Sequence, residues 1–193
     1  MNTRSPLVTI VIPTYNQASF LPQTIASALA QDYPNLEVLV SDDCSPDGTR
    51  DIVGSIVDPR LRYIRNERNL GRVGNYRKAL YEAARGAWAL NLDGDDVLLD
   101  TGFISAAVAA TQAERKIAFV FADRYERDDP FDMPPYIDEA RGVAPEYWDG
   151  TEYVLSLPKP KARIHHLAAL YDREAAMGID FYRADITSSD YES

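Results

Sequence analysis

The chain has 193 residues, 46% of them hydrophobic and 26% charged, which suits one globular domain with a buried core. A net charge of −10 argues against a groove for long nucleic acid, which needs clustered Lys and Arg side chains. The single cysteine, Cys44, excludes an intrachain disulfide and a thiolate metal cluster.

Predicted strands and predicted helices alternate along the first 120 residues. Residues 7–12 form an apolar run rich in β-branched side chains, which is typical of a strand buried on both faces. Four further strands are predicted over residues 36–40, 61–64, 87–92 and 117–121. Apolar side chains recur at helical spacing between them, in residues 21–29, 52–57, 73–84 and 100–112. We expect Pro13 to end the first strand. The alternation predicts an α/β fold with a mostly parallel central sheet flanked by helices.

Polar side chains follow three of these predicted strands. Residues 14–16 follow the first strand, Asp42 and Asp43 the second, and residues 93–96 the fourth. In parallel α/β sheets, ligands bind beyond the carboxyl ends of the strands. The sequence therefore predicts one binding site at this edge of the sheet.

The third polar cluster places three carboxylates within four residues, Asp93-Gly94-Asp95-Asp96. At the end of a buried strand these carboxylates repel one another unless a cation lies between them. Hard oxygen ligands suit Mg²⁺ or Mn²⁺, which can bridge to phosphate oxygens. The alternative is a solvated turn in which Gly94 takes a positive φ.

The chain changes character after residue 122. Residues 124–139 are rich in acids and prolines, which is typical of a lid, a binding loop or a solvated insertion. Residues 158–166 form a basic run that either steers an anionic ligand or is a solvated loop. His165 and His166 within it are candidate metal ligands, although such a pair more often has no metal role.

Long stretches of the chain resemble the family 2 glycosyltransferases, which have a GT-A fold. The stretches VTIVIPTYNQASFLPQTIASALAQDYPNLEVLVSDDCSPDGT, NERNLGRVGNYRKAL and ARGAWALNLDGDDVLL occur in the family's order and end in its Asp-x-Asp motif. The resemblance implies a single GT-A domain over residues 1–193. Residues 1–122 would form a Rossmann-like part that binds a nucleotide-sugar, and residues 123–193 an acceptor-side part, truncated or naturally short.

The resemblance also implies roles for residues near the nucleotide. Thr14 and Tyr15, after Pro13, match positions that hold the base, and the ring of Tyr15 offers a stacking surface. Asp42 matches the acid that accepts a hydrogen bond from uracil, whereas Asp43 is expected to order the loop or the ribose. Cys44 stands where the family often has Gly.

The basic residue of the site and the metal ligands are likewise implied by the resemblance. Arg72 lies where the family places a cation near the base or the phosphates, with Arg77 and Lys78 as competitors on the same helix. Asp95 is the expected ligand for Mg²⁺ or Mn²⁺, and Asp93 is expected to contact the ribose or the metal. The metal would neutralise the leaving diphosphate.

The stretch ADITSSDYES resembles the family's acidic motif, with Ser189 in place of its first acid. Asp190 is the implied general base, which would deprotonate the acceptor hydroxyl and give inversion in one displacement. Glu192 is the fallback, and a charged tail is the alternative.

These observations predict a metal-dependent inverting glycosyltransferase that uses a UDP-sugar and a saccharide or lipid-linked acceptor. A sugar-nucleotide-binding or assembly domain without catalysis is the alternative. Since no apolar stretch approaches the ~20 residues of a membrane span and the start lacks a signal peptide's apolar core, we expect a cytoplasmic protein. Peripheral association with the cytoplasmic face of a membrane is compatible with a lipid-linked acceptor.

Overall fold

A six-stranded mixed sheet forms the centre of the protein. The computed structural model describes residues 5–112, 116–122, 125–126, 136–137, 147–155 and 169–183. The strands are β1 (Val8–Thr14), β2 (Leu36–Asp42), β3 (Leu61–Arg65), β4 (Trp88–Asn91), β5 (Phe119–Phe121) and β8 (Ala169–Asp172), in the spatial order β3-β2-β1-β4-β8-β5. The first four are parallel, and β8 runs antiparallel to β4 and β5. The predicted α/β fold with a mostly parallel sheet is confirmed.

Helices cover both faces of the sheet. They are α1 (Leu21–Leu29), α2 (Thr49–Ser55), α3 (Arg72–Lys78), α4 (Phe103–Thr111), α5 (Gly150–Leu155) and α6 (Arg173–Gly178). A π-helical turn, Ala79–Ala83, continues α3, and the two short strands β6 (Tyr125–Glu126) and β7 (Tyr136–Ile137) pair with each other. In the part of the chain that the structure describes, no helix is long and apolar enough to cross a membrane.

The period-2 alternation of the strands sorts their side chains onto two packed faces. On the first face, Ile10 and Ile12 of β1 pack with Ile25 of α1 and Ile104 of α4. We call the second face the α3 face, because side chains of β1, β2, β4 and β8 pack there against α3 and the π-helical turn. The packed residues are Val11, Leu39, Ala89, Tyr171, Tyr76, Ala79 and Leu80. The two faces explain why the strands read as continuous apolar runs.

Strand β1 continues through Pro13 to Thr14, so the prediction that Pro13 ends the strand was wrong. The carbonyl of Val11 accepts a hydrogen bond from Leu92 N on the β4 side. Pro13 lies two residues farther along and faces the same side, where β4 has already ended at Asn91. Its missing N–H therefore costs no ladder hydrogen bond.

Several element boundaries differ from the predictions. α2 ends at Ser55, and α4 begins at Phe103 after a turn in which Asp100 Oδ1 accepts from Gly102 N at 2.8 Å. The helix predicted over residues 73–84 leaves α geometry at Ala79 and ends when Ala84 N donates to Ala79 O at 2.8 Å. The sequence analysis did not anticipate β8, α5 or α6. In residues 124–139, predicted as an irregular excursion, the described residues are β6 and β7.

Candidate nucleotide-binding site

A cavity of about 330 Å³ lies at the carboxyl edge of β1, β2 and β4, on the α3 face. It is lined by residues that follow these strands and by the loop and helix around α3: Pro13, Thr14, Tyr15, Gln17, Asp43, Asn69, Gly71, Arg72, Asn75, Tyr76 and Asp93. A more open depression of about 550 Å³ lies between α2 and β3, but no buried carboxylate lines it. The smaller cavity is therefore the candidate site, and the sequence predicted its position.

The carboxylate of Asp93 is buried in the wall of the cavity and held by two side chains of α3. Tyr76 Oη donates to Asp93 Oδ1, and Arg72 Nη2 lies 3.1 Å from Asp93 Oδ2. Burial and the neighbouring carboxylate raise the pKa of Tyr76 above its usual range, so the hydroxyl keeps the proton that it donates. A carboxylate has about four lone-pair sites, so Asp93 can still accept hydrogen bonds from a ligand.

Arg72 is the one Arg or Lys among the described residues that line this cavity. Its side chain lines the cavity, is 48% exposed and is ion-paired with Asp93. Its competitor Arg77 pairs with Asp180 at 2.7 Å, and neither Arg77 nor Lys78 lines the cavity. Of the three candidate cations on this helix, Arg72 therefore fits a phosphate-binding role.

Asp42 and Asp43 face opposite sides of the sheet. Asp42 lies on the face of Val38 and Val40, is fully buried and does not line the cavity. Its Oδ1 accepts from Ser45 N at 2.8 Å, and its Oδ2 accepts from Tyr63 Oη at 2.5 Å and from Arg65 Nε at 3.1 Å. The predicted contact between Asp42 and a base does not fit this placement.

Asp43 lines the cavity and fixes the loop that precedes α3. Its Oδ1 accepts from Asn66 Nδ2 and Leu70 N, and its Oδ2 accepts from Gly71 N at 2.9 Å. Gly71 has a φ of 77°, which favours glycine at this position. The loop-ordering role predicted for Asp43 matches these contacts, and its Oδ2 retains acceptor capacity towards the cavity.

Tyr15 and Gly94 shape the opening and the floor of the site. The ring of Tyr15 is 48% exposed at the cavity mouth. A Cβ on Gly94 would lie 2.6 Å from Gln17 Oε1 and 2.9 Å from Thr14 Oγ1, so the Asp93–Asp96 turn packs tightly on the end of β1. Among the described glycines, Gly71 has the positive φ, so Gly94 serves close packing rather than a left-handed turn.

Asn75 and Tyr76 are site residues that the sequence analysis missed. Asn75 is 2% exposed, accepts from Ser41 Oγ at 2.7 Å, and donates to the backbone of Ser41 at 2.8 Å. Tyr76 was expected only as part of an apolar helix face. The spacing of Arg72, Asn75 and Tyr76 at i, i+3 and i+4 places all three on one side of α3, and this pattern could have found them.

The site offers few carboxylate ligands to a divalent metal ion. Among the residues that the structure describes, no group of three or more His, Cys, Asp or Glu side chains converges. Mg²⁺ bound with a nucleotide takes only one or two carboxylates together with phosphate oxygens and waters. Asp95 is not among the residues that line the cavity, but it is an exposed carboxylate two residues after Asp93 and is suited to such a ligand. The charge of Asp93 is already offset by Arg72.

The turn after α6 packs against the back of the site. Tyr182 is buried, its ring meets the ring of Tyr76 edge-on with centroids 5.3 Å apart, and Asn91 Nδ2 donates to its Oη. Asp180 and Tyr182 have φ values of 57° and 60°. The predicted base Asp190, its fallback Glu192 and the 158–166 basic run lie outside the described residues.

Sequence comparison identifies one family along most of the chain. The sequence model described as "Glycosyl transferase family 2" matches residues 9–179.

Two curated relatives resemble parts of the chain. The succinoglycan biosynthesis protein ExoO of Rhizobium meliloti is 47% identical over 93 residues, which are 48% of this chain and 26% of ExoO. The UDP-Glc:alpha-D-GlcNAc-diphosphoundecaprenol beta-1,3-glucosyltransferase WfaP of Escherichia coli is 35% identical over 137 residues, 68% of this chain and 53% of WfaP. The chain thus spans about a quarter to a half of the length of these relatives.

Structural comparison supports the same fold. The mannosyltransferase PcManGT from Pyrobaculum calidifontis, solved with GDP-Man and Mn²⁺, superimposes with a TM-score of 0.67 at 24% identity. The alignment covers 95% of this chain and 49% of PcManGT.

Proposed function

The chain belongs to glycosyl transferase family 2, and on that premise we propose that it transfers a sugar from a nucleotide-diphosphate donor to a hydroxyl of an acceptor. The observation that carries the proposal is the buried Asp93, held by Tyr76 and Arg72 in the wall of a cavity of about 330 Å³. Asp93 is a fixed hydrogen-bond acceptor that suits a ribose, and the half-exposed guanidinium side chain of Arg72 beside it suits a diphosphate.

The donor is a UDP-sugar in this proposal. Tyr15 offers its exposed ring to the face of the base, and Asp43 Oδ2 offers an acceptor to a base N–H. We assign the base contact to Asp43 because Asp43 lines the cavity, whereas Asp42 faces the other side of the sheet and does not. The name of WfaP specifies UDP-Glc as its donor, which makes UDP-glucose the first donor to test.

The two α3 side chains and Asp93 perform different tasks in the proposed reaction. Arg72 attracts the diphosphate and stabilises the charge that grows on it as the sugar departs. Asp93 accepts from the ribose hydroxyls and fixes the nucleotide against the sheet. Tyr76 holds Asp93 in place through a hydroxyl that stays protonated.

A divalent metal ion fits this site through Asp95. When bound, Mg²⁺ or Mn²⁺ supplies Lewis-acid stabilisation of the leaving diphosphate. The ion in PcManGT is Mn²⁺, so we test Mn²⁺ first. Asp93, for which the sequence predicted the ribose or the metal, is assigned to the ribose because Arg72 already offsets its charge while its remaining lone pairs can accept from hydroxyls.

The acceptor half of the mechanism rests on the sequence. Asp190 is the proposed general base, removing the proton from an acceptor hydroxyl so that attack opposite the diphosphate inverts the anomeric centre. WfaP, by its name, acts on a diphosphoundecaprenol-linked GlcNAc. A saccharide or lipid-linked acceptor is therefore proposed for this chain, in cell-envelope or extracellular polysaccharide synthesis.

Calorimetry with UDP tests the donor and metal assignments together. We expect UDP to bind the wild type more tightly with Mn²⁺ than without it, and Asp95→Asn to lose about tenfold or more of that metal-dependent gain. Asp51→Asn removes an exposed carboxylate from α2 and serves as the control for net charge. Equal binding by wild type and Asp95→Asn in the presence of Mn²⁺ would contradict the metal role of Asp95.

A release assay separates catalysis from binding alone. We expect UDP to be released from UDP-glucose in the presence of Mn²⁺, and Asp190→Asn to abolish transfer while UDP affinity stays within about twofold. Intact UDP binding without turnover of any donor tested would instead favour a domain that binds sugar nucleotides without catalysis.

A further inference from the structure

Four aromatic rings form a continuous cluster where β5 meets α5. The ring centroids of Phe119 and Phe121 lie 6.0 Å apart, those of Phe121 and Trp148 lie 5.8 Å apart, and those of Trp148 and Tyr153 lie 5.9 Å apart. The last pair is stacked, with an angle of 11° between the ring planes. We call these four residues the aromatic platform.

The platform is preorganised by the first turn of α5. Asp149 Oδ1 accepts from Thr151 N at 2.9 Å and from Glu152 N at 3.1 Å, so Asp149 is the N-cap of the helix. Trp148 precedes the cap and Tyr153 occupies the fourth helical position, which is the arrangement of a hydrophobic staple. The cap and the staple fix the two rings on α5, and Phe121 joins them to the sheet.

Register and face place the platform beside the donor cavity. Phe121 pairs with Ala169, and Ala169 lies one step beyond the Leu170–Leu90 pair, so Phe121 is level with Asn91 two strands away. Neighbouring strands are about 4.8 Å apart, which puts Phe121 about 10 Å to the side of Asn91. Asn91 comes two residues before Asp93, so both features lie at the same edge of the sheet.

The platform also lies on the same face as the donor site. Val120 packs against the first-face core, so Phe119 and Phe121 project to the α3 face. Phe119 is in register with Tyr171, which packs with Tyr76 on that face. Tyr76 is the residue that holds Asp93.

Exposure and charge specify what the platform can bind. Phe119 is 40% exposed, and Phe121, Trp148 and Tyr153 are partly exposed. The exposed acids Asp149 and Glu152 lie on the same turn, so the partly exposed rings lie next to hydrogen-bond acceptors. A neutral pyranose fits this combination because its C–H face packs on a ring while its hydroxyls donate to carboxylates. Nucleic acid or a nucleotide would be repelled by the acids.

From these placements we infer that the aromatic platform is the acceptor subsite and stacks a neutral sugar ring of the acceptor beside the donor cavity. The inference rests on the proposed function and adds to it the chemistry by which the acceptor is recognised. The active site then has two binding surfaces, a polar surface for the donor and an aromatic surface for the acceptor.

Fluorescence tests the platform without requiring turnover. The chain has two tryptophans, Trp88 at the start of β4 and Trp148 in the platform. In a Trp88→Phe background, Trp148 is the sole indole reporter. We expect methyl α-N-acetylglucosaminide or methyl β-glucoside to change its emission saturably, and mannitol, which has hydroxyls but no ring face, to leave it unchanged.

Kinetics with matched variants test the same inference during catalysis. We expect Trp148→Leu, which keeps an apolar staple but removes the stacking ring, to raise the acceptor KM about tenfold. The donor KM and the hydrolysis of UDP-glucose should stay within twofold, and Trp148→Phe should restore most of the acceptor affinity. Trp88→Leu makes the same chemical change at the opposite edge of the sheet and should leave the acceptor KM unchanged.

The possible failures are distinguishable. Failure of the wild type to bind UDP would overturn the proposed function. UDP binding without a saccharide response at Trp148 would overturn only the acceptor role of the aromatic platform. A change of oligomeric state in Trp148→Leu with an unchanged acceptor KM would also overturn it, and would identify the platform as a contact between copies of the chain.

Discussion

Two buried carboxylates, Glu37 and Asp93, lie at opposite edges of the parallel part of the sheet. Different kinds of partner offset the free-energy cost of burying each one. Glu37 near the start of β2 is 6% exposed and accepts from Thr9 Oγ1 at 2.6 Å, from Arg85 N at 3.1 Å and from Arg62 Nη1. Asp93 beyond β4 is 7% exposed and is held by Tyr76 and Arg72 on the wall of a cavity.

The difference between these carboxylates separates an edge of the sheet that stabilises the fold from the edge that holds the candidate site. All partners of Glu37 are protein groups that tie β1, β2, β3 and the segment before β4 together. Asp93 retains acceptor capacity towards the cavity, and its partner Arg72 is half-exposed. We therefore call the amino edge around Glu37 the closed edge, and the carboxyl edge around Asp93, which borders the cavity, the open edge.

Asp93→Asn tests the open edge and should give the largest effect. The amide can still accept from Tyr76, and Arg72 can turn to solvent, so the free energy of unfolding should change by less than about 1 kcal/mol. Sugar transfer should fall about 100-fold or more, because a fixed polar group at the donor is lost. Rates of UDP release from UDP-glucose and urea denaturation measure the two quantities. A stability loss as large as the activity loss would make Asp93 a structural residue.

Glu37→Gln tests the closed edge and should give the reverse result. Removing one charge of the buried pair leaves Arg62 without its carboxylate, so we expect a loss of about 3 kcal/mol in the free energy of unfolding. UDP affinity should stay within twofold, since Glu37 does not line the cavity. Urea denaturation and calorimetry report these quantities, and weaker UDP binding at unchanged stability would refute the assignment.

The pH dependence of the free energy of unfolding, compared between wild type and Glu37→Gln, isolates the contribution of the Glu37 carboxylate. Burial alone raises the pKa of Glu37, but hydrogen bonds from Thr9, Arg62 and Arg85 outweigh it and hold the pKa below the usual value. The carboxylate therefore stabilises the fold fully above the unfolded pKa of about 4.3, and this stabilisation is lost as the pH falls through the folded pKa. The stability gap between wild type and Glu37→Gln should shrink on acidification, by at most about 1.4 kcal/mol per pH unit. A constant gap would show that the carboxylate's charge contributes nothing.

Gly86 and Gly94 allow the same substitution at the two edges. A Cβ on Gly86 would lie 2.5 Å from Trp88 O and 2.6 Å from Thr9 N, both backbone atoms of the sheet. The nearest atom to a Cβ on Gly94 is the end of the Gln17 side chain, which can rotate away. We expect Gly86→Ala to cost about 3 kcal/mol and Gly94→Ala about 1 kcal/mol in urea denaturation. The opposite order would mean that the carboxyl edge is the more tightly packed.

The sequence predicted the strands that carry their own signal and missed features that depend on distant contacts. β1, β2 and β4 were found because each is a largely buried apolar run, and β3 was found from a shorter run of partly buried residues. β8 was missed, and its reversed position between β4 and β5 follows from pairing of Leu170 with Leu90 and Val120. No local pattern encodes such a pairing.

The same contrast holds within the site. Motif and strand end predicted Arg72 and Asp93, which both line the cavity, but the base contact was predicted for Asp42 although Asp43 is the acid that lines it. The alternation Val38, Val40, Asp42 against Leu39, Ser41, Asp43 separates the two acids by face and could have decided between them. The staple of Trp148 with Tyr153 could have been predicted from spacing, but its packing on Phe121 could not.

Cys44→Gly gives the smallest expected effect and asks whether the open edge also stores backbone strain. Asn16 and Cys44, just beyond β1 and β2, have φ values of 58° and 67°, and the other described non-glycine residues with positive φ are Asp180 and Tyr182 in the turn behind Asp93. The left-handed conformation costs an L-residue about 1–2 kcal/mol, whereas glycine adds about 0.5–1 kcal/mol of unfolded-state entropy. We therefore expect Cys44→Gly to raise the free energy of unfolding by about 0.5 kcal/mol. Cys44→Ala should leave it nearly unchanged, because the thiol's contact with Glu67 O is long, at 3.6 Å. Equal gains in both variants would trace the effect to the thiol, while a gain confined to glycine would show that the left-handed backbone at Cys44 stores strain at the open edge.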